Sequence, residues 1–192
     1  MAFEARNFEG LLGLKGFSDN LLKNHFTLYQ GYVANTNKLS DLLNAMLKDG
    51  KTALPEFAEL KRRFGWEFNG MRLHELYFEN LTAEGIEWQT SSKLSKEIAE
   101  NFGNWNDWAK EFKATGAMRG IGWAVLYRDN SSKRLFNAWI NEHDAGHLTG
   151  CTPLLVMDVF EHAFMIDYGL KRADYIEAFF TVIDWRVVEK RL

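Results

Sequence analysis

The chain has 192 residues, and its 23 Lys and Arg residues against 26 Asp and Glu residues give a formal net charge of −3. This length allows one domain or two small ones with a real core, and a hydrophobic content of 46% argues against a disordered chain. The near-balanced charge gives no support to nucleic-acid binding, and a single cysteine, Cys151, excludes an intramolecular disulfide and a thiolate-rich metal site.

The first part of the chain is predicted to be helical, because apolar residues recur at helical spacing and prolines occur only at Pro55 and Pro153. Ser18 precedes the first apolar run as an N-cap, and Gly50 and Gly65 are predicted to end the second and third helices. The helices predicted in this part are, in chain order, 19–32, 33–48, 56–64, 66–80, 95–102 and 104–114.

A small sheet is predicted after Gly116, where the apolar pattern changes. The elements predicted there are strands over 120–127, 134–140 and 146–156 and helices over 155–166, 172–182 and 184–190. Helices followed by antiparallel strands and then by helices are typical of an α+β fold. We expect the boundary between the two parts near Gly85.

Four residues of this sequence could be ligands of one metal ion. His25 and His74 lie on the predicted apolar faces of their helices. Asp158 and His162 are four residues apart, which on a helix brings both side chains to one face and suits two ligands of one ion. A histidine on an apolar face is also a common hydrogen-bonded core residue, so a helical ligand-binding protein with core histidines remains an alternative.

Other catalytic arrangements have no support in the sequence. A Glu-x-x-His pair, typical of di-iron bundles, is absent, and so are the His-Glu-x-x-His of zinc proteases and the Gly-x-Ser-x-Gly of hydrolases. Asp144 and His147 have a possible ligand spacing, but they lie in a glycine-containing segment that we interpret as a loop. Three histidines and one aspartate offer N and O donors, which fit iron, manganese or zinc.

The cytoplasm is the expected location of this chain. No stretch approaches the roughly 20 apolar residues of a membrane-spanning helix. The first residues lack the basic and apolar regions of a secretory signal, and a single cysteine fits a reducing compartment. We therefore expect contact with neither membrane nor nucleic acid.

Five segments, taken in order, resemble the iron/manganese superoxide dismutase family. The sequence Asp-Val-Phe-Glu-His-Ala-Phe at 158–164 resembles the family's C-terminal signature, Asp-x-Trp-Glu-His-Ala-Tyr. The other matching segments are 25–35, 68–74, 122–127 and the closing helices with 172–175 and 184–185. The resemblance implies an N-terminal helical hairpin, residues 1–85, and a C-terminal mixed domain, residues 86–192, with a small three-stranded antiparallel sheet flanked by helices.

The resemblance implies an enzyme that disproportionates superoxide to O₂ and H₂O₂ at one iron or manganese ion per subunit. Its implied metal ligands are His25, His74, Asp158 and His162, with solvent as a fifth ligand. A site of one carboxylate and three neutral imidazoles stays cationic when loaded and attracts a small anion.

The resemblance also assigns the residues around the metal. Tyr32 is the implied gateway tyrosine and His143 an outer-sphere group, and both are expected to supply protons to the departing peroxide. Trp123 and Phe160 would line the cavity, with Phe160 in place of the family's usual tryptophan. Because His143 and not a glutamine occupies the outer position, iron is favoured over manganese, while use of either metal remains open.

A two-fold interface is a further implication. Glu161 is expected to reach across it to His162 of the partner subunit, in a homodimer or a tetramer of dimers. Tyr29 stands where the family commonly has a histidine that faces the partner, so we expect Tyr29 to pack against the partner chain by a different contact. The candidates for a local positive field that attracts the anion are Lys23, Lys171 and Arg172.

The spacing in the first helix differs from the family's. Six residues separate His25 from Tyr32, one fewer than usual. A family helix that contains a π-bulge would become regular on losing one residue, and a shifted ligand is the other interpretation. The shortened spacing also supports the alternative function, a family member retained as a metal-binding or structural protein without useful dismutase turnover.

Overall fold

The computed structural model describes residues 2–86 and 88–192, which form an α+β fold. Its helices are α1 (Asp19–Lys48), α2 (Pro55–Glu79), α3 (Lys93–Phe102), α4 (Trp105–Gly116), α5 (Met165–Tyr168), α6 (Arg172–Thr181) and α7 (Trp185–Lys190), and its strands are β1 (Gly122–Asp129), β2 (Leu135–Asn141) and β3 (Cys151–Asp158). The predicted fold class is confirmed. Within the described residues, every helix is too short or too polar to cross a bilayer.

Helix α1 is one continuous helix of 30 residues, so the predicted division near Tyr32 is wrong. The Ser18 side chain caps its start by accepting a hydrogen bond from the backbone N–H of Leu21. Gly31 lies inside the helix, where a glycine costs about 1 kcal/mol. Burial of a single neighbour such as Val33 contributes more than that, so packing outweighs local preference.

Helix α2 begins at Pro55 and is also continuous, which makes the predicted end at Gly65 wrong. Pro55 suits the first helical turn, where its missing N–H costs nothing. A short connection joins α1 to α2, and the two helices pack against each other as an antiparallel hairpin. The early part of α1 therefore lies beside the late part of α2, and the rings of His25 and His74 are 5.0 Å apart.

The sheet is antiparallel with the order β2-β1-β3, and β1 is its central strand. β3 begins and ends later than the predicted third strand, and its last five residues are buried. Residues 155–158 belong to β3, so the helix predicted over 155–166 is wrong. A short apolar run such as Leu155 to Met157 fits a buried strand as well as a buried helix, and periodicity does not separate the two.

Asn80, directly after α2, ties the hairpin to the second part of the chain. Its Nδ2 donates to the Val156 carbonyl on β3 at 2.7 Å, and its own carbonyl accepts from the Asp184 N–H at 2.6 Å. Arg191 donates to the Asn80 side chain and to the Leu154 carbonyl. These bonds hold the end of α2 against β3, and one hydrophobic core runs through both parts. The boundary near Gly85 stays a prediction.

Candidate metal centre

Four side chains converge where the hairpin meets the sheet. They are His25 on α1, His74 on α2, Asp158 at the end of β3 and His162 in a 3₁₀ turn, Glu161–Ala163. One ligand atom from each lies within 4.8 Å of the others. The side chains of His25, His74 and Asp158 are fully buried, whereas that of His162 is 21% exposed.

One carboxylate oxygen is the centre of this group. Asp158 Oδ2 is 3.1 Å from Nε2 of both His25 and His162, and 3.6 Å from Nε2 of His74. The His74 Nδ1–H donates to the Gly70 carbonyl at 2.6 Å, so its Nε2 carries the lone pair.

That His74 Nε2 atom is buried and has no hydrogen-bond partner within the described part of the chain. A buried acceptor left unpaired costs free energy, and a cation bound between it and the Asp158 carboxylate would satisfy both. Three imidazoles and one carboxylate are also donors that iron and manganese accept. The residues therefore fit one such ion.

Burial and neighbouring charges shift the pKa values of His25, His74 and Asp158 toward the protonation states that a metal requires. Burial lowers the pKa of His25, and burial, together with repulsion from His25 when that ring is protonated, lowers the pKa of His74 well below its usual value. Burial would raise the pKa of Asp158, but the charge and hydrogen bond of His162 and the hydrogen bond of His25 outweigh it and hold this pKa far below its usual range. Two neutral imidazoles thus face an ionised carboxylate.

Asp158 and His162 meet without sharing a helix, contrary to prediction. The backbone leaves β3 at Asp158 and turns, and the Asp158 Oδ1 accepts from the Phe160 N–H at 2.9 Å. Tyr175 on α6 donates its hydroxyl to the Asp158 carbonyl at 2.6 Å. The turn and these two bonds bring the carboxylate of Asp158 and the imidazole of His162 together. Residues four positions apart on a helix would also have been neighbours, so the sequence spacing fits both arrangements.

Tyr32 and His143 lie beside this cluster and are hydrogen-bonded to each other. The Trp123 indole N–H donates to His143 Nδ1 at 3.1 Å, so Nδ1 must carry the lone pair. Burial lowers the pKa of His143 to about 4, and the neutral ring therefore has its proton on Nε2. This Nε2–H donates to the Tyr32 Oη at 2.9 Å, which leaves the hydroxyl proton of Tyr32 free.

Tyr32 reaches this position from a regular helix. His25 and Tyr32 are seven positions apart on α1, close to two full turns, so both side chains point to the same side. The Tyr32 ring stacks on His74 with centroids 5.0 Å apart. A Cβ atom at Gly70 would lie 2.7 Å from this ring, so the glycine leaves the space that Tyr32 fills. The α-helical geometry of α1 agrees with the interpretation of a helix made regular.

Comparisons with known proteins point to one family. Residues 90–191 match the family model described as iron/manganese superoxide dismutases, C-terminal domain. The chain is 40% identical over 183 residues to superoxide dismutase [Fe] of Aquifex pyrophilus, covering 93% of this chain and 85% of the relative. It is 37% identical over 161 residues to superoxide dismutase [Mn] 2 of Haloferax volcanii, covering 84% and 79%.

The chain belongs to the iron/manganese superoxide dismutase family. It is therefore an enzyme, a superoxide dismutase of the iron or manganese type, and superoxide is its substrate. The resemblance identified in the sequence is confirmed. Among residues 2–86 and 88–192, the cluster of His25, His74, Asp158 and His162 could hold the metal.

Aromatic side chains surround the cluster of the dismutase. Trp123 is fully buried with its ring 4.9 Å from that of His74, and Phe160 stacks between the rings of His143 and His162 at 4.7 and 5.1 Å. Trp66 was not singled out from the sequence, although its ring lies 4.4 Å from His143. Its position on α2, two turns before His74, was the signal that could have identified it.

Tyr29 is buried within its own chain, and its expected packing against a partner chain stays a prediction. Its side chain is 1% exposed. Its hydroxyl donates to Glu75 Oε1 at 2.9 Å and accepts from the Arg6 N–H at 3.0 Å. Glu75 follows a residue of the cluster on α2 and offers a buried acceptor, which draws the tyrosine inward. Glu161, in contrast, is exposed beside half-buried His162.

A cavity of about 330 Å³ opens beside Tyr32 and is lined also by Arg63, Trp66 and Glu67. The Arg63 guanidinium lies 3.7 Å from the Trp66 ring centre and pairs with Glu67 at 2.8 Å. Arg172 was predicted as a source of positive field. Its guanidinium donates hydrogen bonds to the carbonyls of Met118 and Gly120 and so stabilises the connection between α4 and β1. The remaining two candidates, Lys23 and Lys171, are exposed.

Proposed function

We propose that this dismutase works with iron held by His25, His74, Asp158 and His162, and that Tyr32 and His143 control proton delivery at the site. The observation that carries the proposal is the 2.9 Å hydrogen bond between His143 Nε2 and Tyr32 Oη. It links a hydroxyl beside the metal cluster to an imidazole of the second part of the chain. The iron ion would supply the one-electron redox couple that oxidises one superoxide and reduces the next.

Iron is favoured by the group that lies outside the cluster. The imidazole of His143 lies where a residue outside the metal cluster can reach the cluster. Gly70 has no side chain that could occupy this place instead. Outer groups of this kind tune the potential of a bound metal through their hydrogen bonds. The proposal of iron over manganese rests on this pair of residues.

Proton delivery is assigned to the Tyr32 hydroxyl. Reduction of superoxide to hydrogen peroxide consumes protons, and a donor must be protonated at working pH. Burial, together with the charges of Asp158 and Glu67, raises the pKa of Tyr32, which keeps the hydroxyl protonated. Its oxygen is held by His143, so its own proton can be directed into the site.

His143 serves as a holder of Tyr32 and not as an acid of its own. Its pKa of about 4 keeps the ring neutral at neutral pH. When Tyr32 gives up its proton, the Nε2–H of His143 already points at the oxygen that becomes negative, and this bond stabilises the tyrosinate. The pair can then take up a proton from solvent through the adjoining cavity.

Assembly and location are further parts of the proposal. Exposed Glu161 lies beside His162, and the neighbouring Met165 and Ile166 on α5 are 43% and 48% exposed. Acidic, imidazole and apolar groups in one patch suit a two-fold contact in which Glu161 reaches His162 of the partner subunit. The cytoplasm is the proposed compartment, where the one cysteine of the chain stays reduced.

The test is superoxide decay, followed by stopped flow, for protein reconstituted separately with iron and with manganese. Each form is compared with Tyr32→Phe and His143→Gln at equal metal content. We expect the iron form to be the faster one and each substitution to lower its turnover by about tenfold or more. Tyr168→Phe, which also loses one hydroxyl, is the matched control and should keep the rate of the unchanged chain.

A faster manganese form would overturn the choice of iron. Full turnover in both Tyr32→Phe and His143→Gln would overturn the proton role of the pair. One equivalent of metal bound after loss of His25 and Asp158 together would show that the ion sits elsewhere. Sedimentation of the unchanged chain and of Glu161→Ala tests the two-fold contact, and a monomeric unchanged chain would overturn it.

A further inference from the structure

His147 has no place in the metal cluster, yet both of its ring nitrogens are hydrogen-bonded. It lies in the connection between β2 and β3, four residues after His143. Its Nε2 is 2.9 Å from the backbone carbonyl of His143, and its Nδ1 is 2.9 Å from the hydroxyl of Tyr127 on β1. The ring therefore bridges the central strand and the backbone of the residue that holds Tyr32.

The carbonyl partner fixes the direction of one bond, and in the neutral ring the direction of the other follows from it. A carbonyl oxygen only accepts, so His147 Nε2 must carry a proton. In the neutral ring Nδ1 then has the lone pair and accepts from the Tyr127 hydroxyl. Tyr127 is 3% exposed, and the bond to His147 gives its buried hydroxyl an acceptor.

His143 is thus held twice from the same strand. Trp123 on β1 donates to the His143 ring, and Tyr127 on β1 acts through His147 on the His143 backbone. One bond sets the rotation of the imidazole and the other sets where its main chain lies. With both in place, His143 Nε2 points at Tyr32.

The connection between β2 and β3, which contains His143, has an unfavourable backbone conformation that other contacts must stabilise. Glu142, directly before it, has a φ of +50°, in the left-handed region that is costly for a residue with a side chain. Gly146 has a φ of +107°, and a Cβ atom there would lie 2.7 Å from the Trp139 carbonyl. A backbone held in these conformations persists only when neighbouring contacts fix it.

We propose that His147 is a positioning residue of this dismutase, which holds the His143 imidazole against Tyr32 by bridging Tyr127 and the His143 carbonyl. This inference rests on the proposed role of the Tyr32–His143 pair. His147 is half-buried and lines a cavity of about 210 Å³ with Tyr127 and Cys151, so solvent has access to the bridge once the ring is removed.

The test compares His147→Ala with His147→Gln, whose amide can donate to the carbonyl and accept from Tyr127. Thr149→Ala, an exposed change in the same connection, is the matched control. The first measurement is NMR of the full metal-free chain, in which Trp123→Phe identifies the indole N–H signal and His143→Gln the imidazole nitrogens. We expect His147→Ala to speed solvent exchange of the Trp123 indole proton by about tenfold or more, and His147→Gln to restore protection.

The second measurement is turnover of the iron-loaded variants at equal metal content. We expect His147→Ala to lose about tenfold in kcat, because misplacing a group near the reacting atoms is costly, and His147→Gln to recover most of the loss. Melting temperatures of all variants separate misplacement of His143 from general unfolding.

The two proposals fail in different ways. Unchanged Trp123 and His143 signals in His147→Ala would overturn the positioning role, whatever the turnover. Failure of His147→Gln to restore signals that the alanine variant loses would overturn the bridge as its cause. Altered signals with full turnover would support the positioning and would count against the proton role of Tyr32 and His143 instead.

Discussion

Tyr32 and His143 are 111 positions apart in the sequence, and their Oη and Nε2 atoms are 2.9 Å apart in the fold. The direction of this bond is decided by a third residue, Trp123, whose indole N–H can only donate. The hairpin supplies the hydroxyl and the sheet supplies the imidazole. Proton delivery in this dismutase thus depends on how the two parts of the chain fit together.

Trp123→Phe is expected to uncouple this pair while leaving the metal cluster intact. Without the indole donor, His143 Nδ1 is a buried acceptor without its partner, and the ring can carry its proton on either nitrogen. We expect turnover to fall by about tenfold at unchanged metal content. Trp139→Phe, a tryptophan of β2 at a half-buried position, is the control. Equal turnover of both variants would argue against a fixed tautomer.

Gly70→Ala should disturb Tyr32. A Cβ atom at this position would lie 2.7 Å from the ring, so the ring must shift from its place beside position 70. We expect the free energy of unfolding to fall by about 1–3 kcal/mol and turnover to fall with it. Gly65→Ala on the same helix has open space and should raise stability by up to about 1 kcal/mol, with turnover retained. Urea unfolding and stopped-flow assays measure both effects.

Asp158→Asn is expected to abolish metal retention. The carboxylate is the one anionic group among the four candidate ligands, and three imidazoles alone offer no negative charge to offset that of the ion. Metal content after dialysis against a chelator, measured by mass spectrometry, should fall close to zero. Asp144→Asn removes an exposed carboxylate and should leave metal content unchanged. Equal retention in both variants would mean that the ion is held elsewhere.

Acid should destabilise the metal-free chain through His143. Its pKa is about 4 in the folded chain, below the value of about 6.5 in an unfolded chain, so the unfolded state binds the proton more readily. The stabilisation is present above pH 6.5 and is lost as the pH falls toward 4, at about 1 kcal/mol per pH unit. His143→Gln should show a correspondingly smaller loss in urea unfolding over this range. Parallel stability curves for the two chains would contradict this linkage.

Arg63→Gln should slow the capture of superoxide. Arg63 is the cation that lines the cavity beside Tyr32. We expect kcat/KM to fall severalfold at low ionic strength and the difference to narrow at high salt, because salt screens an exposed charge. Arg62→Gln, a fully exposed neighbour paired with Glu59, is the control. Equal salt dependence in both variants would show that Arg63 does not guide the anion.

The sequence was enough to predict the fold class and to bring four candidate ligands together. His25 and His74 follow the helical spacing of the apolar residues around them. This spacing places them on the buried faces of their helices, whether each helix is continuous or divided. The division of α2 was mispredicted, because Gly65 is a weak break locally and is overridden by packing between α1 and α2.

Other features depend on partners that are remote in the sequence. Residues 155–158 were assigned to a helix because a short apolar run has no period of its own, and only pairing with β1 makes it a strand. The hydrogen bond from Tyr29 to Glu75 was not predicted, because the two residues lie 46 positions apart. The bridge through His147 needs the β2–β3 connection to lie against β1, and no local pattern indicates such an arrangement.

The way Asn80 and Arg191 fasten the hairpin to β3 has a consequence for biosynthesis. His25 and His74 leave the ribosome long before Asp158 and His162, and 133 positions separate His25 from Asp158. A nascent chain that has emerged only as far as the hairpin therefore cannot yet offer the full ligand set. Acquisition of the ion becomes a late event, available only to chains whose sheet has formed and docked.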